Sequence, residues 1–179
     1  MRKIVSGLFI SLDGVVEAPD QWHFPYFDDD MGNAVQNMMK DSDAMLLGRH
    51  TYEEFAAYWP TSTDEIAGHM NGTQKYVVSN TLNSLDWQNS TLISGDVAKE
   101  LTRLKEQPGQ NISATGSGTL VASLLREGLL DELHLLVHPI VVGTGKRLFE
   151  EGSQVPLRLT DSQIFGSGVL YLTYQRADS

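Results

Sequence analysis

Two short stretches of this chain combine residue types that could hold a phosphate. "LLGRHTYE" (46–53) runs from an apolar segment through Gly48 and Arg49 into a helical pattern. "ATGSGTL" (114–120) runs from a small-residue segment through Gly116, Ser117 and Gly118 into another. A helix N-terminus offers free backbone N–H groups and the positive end of a dipole, and glycine lets an anion approach the backbone closely. Arg49 adds a guanidinium that can fork onto a phosphate. Each turn alone is also what a strand-to-helix connection needs for its dihedral angles. The pair, with an arginine at one member, favours a ligand with two separated phosphate regions.

Asp13, in "SLDG" (11–14), has two readings: a turn aspartate before Gly14, or an acceptor for ring N–H groups of a substrate. Trp22, Phe24, Tyr26 and Phe27 crowd the next segment, where they either line a pocket for a flat ligand or plug the end of a sheet. His134 and His138 could share a strand face, but no third metal ligand is evident, so no metal is expected. Asp28, Asp29 and Asp30 read as a helix-start cluster beside the dipole, and Met38 and Met39 as core. "GTGKR" (143–147) lacks the spacing of a P-loop, Gly116-Ser117-Gly118 lacks the third glycine of a Rossmann fingerprint, and G-x-S-x-G is absent.

Periodicity supplies the elements that must position these groups. Strands are expected over Ile4–Leu12, Asp43–Gly48, Lys75–Ser79, Ser90–Ser94, Asn111–Thr115 and Asp131–Val142, the last bent or at an edge because of Pro139. Val155–Phe165 and Gly168–Arg176 form a closing hairpin around Gly166-Ser167-Gly168. Helices are expected over Asn33–Lys40, from near Thr51 (a capping box with Glu54) to Pro60, and over Glu65–Met70. Two more follow, one after Asp96 with Val97, Leu101 and Leu104 on one face, and one over Gly118–Glu127 with Gly128 at its C-terminus. Strands alternating with helices predict an α/β fold: a single domain over 1–179, a mostly parallel sheet covered on both faces, and antiparallel strands at the C-terminal end.

Composition narrows the partners. With 13 basic and 23 acidic residues the net charge is −10, which excludes nucleic acid as the main partner and argues against anionic membrane surfaces. No apolar run reaches membrane-spanning length. The chain has no cysteine, which removes disulfides and thiolate zinc sites and suits a cytoplasmic location. The apolar face expected of 131–142, extended by the hairpin, predicts a homodimer.

"SLDG" (11–14), "LLGRHTYE" (46–53), "KYVVSNTL" (75–82), "ATGSGTL" (114–120) and "DELHLLVHPIVVGTGKRLF" (131–149), in this order and spacing, resemble the dihydrofolate reductase-like superfamily. The nearest branch is the reductase domain of riboflavin biosynthesis, the C-terminal half of a bifunctional deaminase/reductase. The resemblance implies a three-layer fold and an NADPH-dependent reductase acting on a small heterocyclic or ribosylamino-pyrimidine substrate, commonly as a homodimer. It places Gly48, Arg49, His50 and Thr51 on the adenosine-phosphate side, and Ser79, Asn80 and Thr81 around adenine and ribose. It places Gly116, Ser117, Gly118 and Thr119 at the pyrophosphate, Gly143 and Gly145 near the nicotinamide, and Asp13 near the substrate, orienting it or relaying a proton. Without cysteines the chain lacks the paired ligands of the deaminase and would supply the reductase step alone. The alternatives are a non-catalytic nucleotide-binding or sensing module, a pterin reductase of the dihydrofolate reductase type, or a dimeric interaction protein on the same fold.

Overall fold

The computed structural model describes residues 1–149, 152 and 154–177. β1 (Ile4–Ser11) leads through two short 3-10 turns into α1 (Asp29–Lys40), β2 (Ser42–Gly48), α2 (Arg49–Tyr58) and α3 (Ala67–Gly72). β3 (Gln74–Val78), β4 (Ser90–Ile93), α4 (Val97–Glu106), β5 (Asn111–Gly116), α5 (Gly118–Arg126) and β6 (Glu132–His138) follow, closed by the hairpin β7 (Leu157–Ile164) and β8 (Leu170–Arg176). They build one eight-stranded sheet in the order β4-β3-β2-β5-β1-β6-β8-β7. The pairs from β4 to β6 are parallel; β6–β8 and β8–β7 are antiparallel.

Alternation along the strands assigns the two faces. Ala44 and Leu46 of β2 join Leu101 and Leu104 of α4 and Val121, Leu124 and Leu125 of α5 in one core cluster. Met45 and Leu47, one residue out of step, face Tyr52 of α2, Met70 of α3 and Trp87. Met31 and Ala34 of α1 cover Leu136, Phe165 and Val169 on that same side of the sheet, further along it. Helices therefore cover both faces, as the α/β periodicity requires.

Several boundaries differ from the sequence expectation, each for a local reason. α1 begins four residues early because Asp28 caps it, accepting from Met31 N–H. Asp28 also accepts from Ser167 N–H, and Asp30 from Gly166 N–H, so the acidic cluster clasps the β7–β8 turn. α2, expected to start near Thr51, starts at Arg49; its N-cap is Gly48, with no side-chain cap. The helix after it starts at Ala67 rather than Glu65. Gly128 lies one residue past the C-cap Glu127, with φ +72°. The sixth strand stops at His138, because Pro139 has no N–H to continue the ladder. That strand is also interior, between β1 and β8, rather than at an edge.

Lys75, on β3, is fully buried, and among the described residues no carboxylate pairs with it. Its Nζ donates to the carbonyls of Asn71 and Gln88 and sits 4.0 Å from the centroid of a Trp87 ring. Burial pulls its pKa from 10.5 down to about 8. The unfolded chain then binds more protons than the folded one between those values, so this group makes stability rise with pH across that window. Lys75→Met should lose that rise: urea midpoints at about pH 7.5 and about pH 10 should diverge from wild type as pH increases. Parallel curves would show that Lys75 does not titrate in this way.

Candidate functional site

The carboxyl ends of the parallel strands place the two glycine turns side by side. β2 and β5 are neighbours, with Leu47 opposite Gly116. A Cβ on Gly48 would lie 3.3 Å from both the N and the Oγ of Ser117. Gly116, at φ +141°, leaves room for α2: a Cβ there would lie 2.9 Å from Thr51 Oγ1. Thr51 thus serves close contact between the turns rather than the predicted capping box. Gly48, Thr51, Gly116 and Ser117 therefore meet in one close junction, at which α2 and α5 both begin. Ser117 caps α5 by accepting from Leu120 N–H, while the Gly118 and Thr119 N–H groups have no carbonyl one turn behind them.

Arg49 and His50 stand at the exposed start of α2. The Arg49 guanidinium lies 3.3 Å from Glu53 Oε1 and 3.3 Å from His50 Nε2. Ser79, Asn80 and Thr81 follow β3, the next strand along. Ser79 Oγ accepts from the N–H groups of Thr81 and Leu82, and Asn80 Oδ1 accepts from Gly95 N–H. The polar side chains of Ser79 and Asn80 therefore shape the turns at this edge.

Asp13, Gly143 and Gly145 lie on the other side of α5's start. Leu12 N–H donates to Ile140 O, Val16 N–H to Lys146 O, and Leu148 N–H to Gly14 O. Residues 12–16 and 140–148 so form a two-stranded ribbon over the ends of β1 and β6. Gly145, at φ +122°, admits Val15: a Cβ there would lie 2.9 Å from Val15 Cγ1. Gly118 lies under this ribbon. A Cβ on it would lie 2.9 Å from Val16 Cγ2 and 3.9 Å from Leu148 Cδ1. No sequence pattern signals that packing role.

The Asp13 carboxylate is the ribbon's fastener. It accepts from Ser11 Oγ (2.5 Å), Val142 N–H (3.1 Å) and Gly143 N–H (2.9 Å). Arg147 Nε donates to the Asp13 carbonyl. The Ser11 and backbone hydrogen bonds hold the carboxyl down to about 2 from 3.8. With both oxygens accepting from these donors, the carboxylate is placed to hold the ribbon. A depressed carboxyl contributes stability that is present above pH 3.8 and lost as pH falls through about 2. Asp13→Asn offers one acceptor where two oxygens served three donors. Hydrogen exchange of the Val142 and Gly143 amides should accelerate with the fold intact; unchanged exchange would refute the fastener role.

Two other sequence features resolve differently. His134 Nε2 is 3.1 Å from Glu132, and its Nδ1 lies 3.0 Å from Tyr171 OH and 3.1 Å from Thr173 Oγ1. His138 is fully buried among aromatic rings. Among the described residues, no three His, Asp or Glu side chains gather as a metal cluster. A cavity of about 370 Å³ runs along the flank of α5 to Arg126, bordered by Lys146 and Phe149. It shares only Thr119 with the predicted cofactor residues. No helix among the described residues is long and apolar enough to cross a membrane.

The comparisons with known proteins agree with this architecture. The family described as the RibD C-terminal domain matches residues 2–171. The uncharacterized protein YyaP of Bacillus subtilis (strain 168) is 31% identical over 180 residues, covering 97% of this chain and 94% of its own. A candidate riboflavin biosynthesis protein from Shewanella sp. PV-4 superposes with a TM-score of 0.80 at 20% identity, covering 97% of this chain and 98% of its own. Dihydrofolate reductase from Enterococcus faecalis, solved in complex with NADP(H), superposes with a TM-score of 0.68 at 14% identity, covering 98% and 97%. The sheet and its helical layers are thus dihydrofolate reductase-like.

Proposed function

The chain belongs to the RibD C-terminal domain family, and from that premise we propose that it is an NADPH-dependent reductase. It would move a hydride to a small heterocyclic or ribosylamino-pyrimidine substrate, in the cytoplasm. The observation that carries this reading is the junction at which two glycine turns and two helix N-termini converge, with Gly48 against Ser117 and Gly116 against Thr51.

The residues present fit a dinucleotide. The N–H groups of Gly118 and Thr119 suit a pyrophosphate, and Gly116 and Ser117 let it approach. Arg49 and His50, at the start of α2, suit the adenosine phosphate. Ser79, Asn80 and Thr81 would border adenine and ribose, and Gly143 and Gly145 the nicotinamide side. Bound NADPH supplies the hydride. The protein's part is to orient the two rings and exclude water, which in this reading falls to the ribbon fastened by Asp13.

We also propose that the protein is a homodimer. The hairpin carries Leu159, Ile164 and Leu170 exposed, and their register puts them on one face of β7 and β8. The interior position of β6 confines this argument to the hairpin. Light scattering should give the dimer mass, and a monomer mass would refute it.

The catalytic reading is tested by titrating NADPH and following loss of reduced-nicotinamide absorbance across pyrimidine, pterin and folate substrates. Oxidation with one class supports the reductase. Binding without turnover on any class would identify a nucleotide-binding module, and no binding would overturn the cofactor assignment.

A further inference from the structure

Residues 18–27 cross the carboxyl end of the sheet between β1 and α1. Among the described residues, their backbone N–H hydrogen bonds are all internal: Gln21 to Ala18, Trp22 and His23 to Pro19, Tyr26 to His23, and Phe27 to Phe24. Even the Trp22 indole N–H reaches only as far as Glu17 O. Side chains tie the segment to the sheet: Tyr26 packs on the Met31, Leu136 and Phe165 cluster, and a box of rings surrounds His138, the last residue of β6.

His138 is completely buried. Its ring is met edge-on by Trp22 (5.1 Å between centroids), Phe9 (5.5 Å), Tyr26 (5.7 Å) and His23 (6.2 Å). His23, itself 8% exposed, stacks on Phe9 at 4.6 Å and tilts against Phe24 at 4.2 Å. The Leu136 carbonyl lies 2.8 Å from His138 Nδ1. A carbonyl only accepts, so Nδ1 carries the proton and the neutral ring has a bare Nε2. Neither His138 Nε2 nor His23 Nδ1 has a hydrogen-bond partner among the described residues. We propose that residues 18–27 form an acid-sensitive strap, closed while His23 and His138 are both neutral and released when either ring gains a proton.

The surroundings make protonation costly in place. α1 presents Met31, Ala34, Val35 and Met38 to this cluster, all apolar. Phe9 is the contact from β1. On β6 itself, His134 is engaged with Glu132, Tyr171 and Thr173. The Glu17 carboxylate accepts from Lys146 N–H, and the Asp28 carboxylate from Met31 and Ser167 N–H, so neither is hydrogen-bonded to either ring. Asp20, on the strap, favours the charged form of His23, but burial and the neighbouring His138 outweigh it and push its pKa down. Burial likewise lowers His138, against the pull of the Leu136 and Ile10 carbonyls. A histidine with a lowered folded pKa binds fewer protons folded than unfolded, so closure weakens as pH drops below about 6.5. The strands are held by their ladders; the strap is held by side chains alone, through the box and through Tyr26 and Phe27 against α1, and is the part that can leave. Val16, just before the strap, packs on Gly118. An effect of release on cofactor entry rests on the reductase reading; the pH response does not.

The test uses the ligand-free chain. Amide hydrogen exchange, corrected for intrinsic pH dependence, should show protection of residues 18–27 falling about tenfold or more between about pH 7.5 and about pH 5, while β1 and β6 hold. His23→Phe/His138→Phe keeps the rings and removes the protons, and should abolish that fall. Constant protection in the wild type, or an undiminished fall in the double variant, overturns the proposal. Should the double variant not fold, imidazole NMR of the wild type decides. Both rings must titrate below about 6.5 together with the strap amides; titration at the free value with static strap amides overturns it.

Discussion

Gly118→Asp is expected to lower NADPH affinity by about 30- to 1,000-fold, and Gly118→Ala by far less. The glycine opens α5 with an N–H that has no helical acceptor behind it. An aspartate there puts a negative charge beside the proposed pyrophosphate and displaces a charge-assisted hydrogen bond, together about 2–4 kcal/mol at a partly desolvated site. The alanine control is needed because any Cβ would lie 2.9 Å from Val16 Cγ2. Both variants must push the ribbon aside, but only one adds charge. Without cofactor the ordering should reverse, since an acidic residue is favoured in the first turn of a helix, so the aspartate variant should be at least as stable as the alanine one. Calorimetric titration of the folded variants, with urea midpoints beside it, reads both effects. Equal losses of affinity would mean that Gly118 serves Val16 and no phosphate.

That control could not have been designed from the sequence, and the reason is general to this chain. Local signals were legible. Asp96 accepts from Lys99 N–H as its N-cap, and Gly166-Ser167-Gly168 joins β7 to β8. Such features depend on neighbours within a few residues. Contacts that cross the chain were not legible. Asp13 finds two of its donors at Val142 and Gly143, 129 and 130 residues away. "SLDG" reads equally as a turn or a substrate contact until those partners are seen. His138 drew notice in the sequence only beside His134, and only the β1–β6 pairing, with Ser11 opposite His138, brings its ring to His23 on the strap. Thr51 and Glu54 have the spacing of a capping box, but the tight approach of Gly116 gives the Thr51 side chain a different neighbour. The apolar run 131–142 suggested an exposed surface. Instead Leu133, Leu135 and Leu136 are buried in the clusters that α5 and α1 cover, while Leu159, Ile164 and Leu170 of the hairpin stay exposed.

Arg49→Ala should weaken NADPH and leave NADH nearly unchanged. The proposed partner of Arg49 is the 2′-phosphate, which only NADPH carries. A charge-assisted hydrogen bond is worth about 1.5–3 kcal/mol, so the selective loss should be about ten- to 150-fold. The Glu53 carboxylate, 3.3 Å from the guanidinium, competes for it. That exposed i,i+4 pair is weak, so a dianionic phosphate should displace it. Glu53→Gln should then tighten NADPH modestly by removing both the competitor and one negative charge from the rim of a chain at −10. Added salt should erode the NADPH advantage in the wild type and have little left to erode in Arg49→Ala, because screening acts on the charge pair and not on the shared dinucleotide contacts. The deciding measurement is the ratio of the two dissociation constants at low and high ionic strength. An equal loss for both cofactors would place Arg49 on a group they share, and no loss for either would leave it as a surface partner of Glu53.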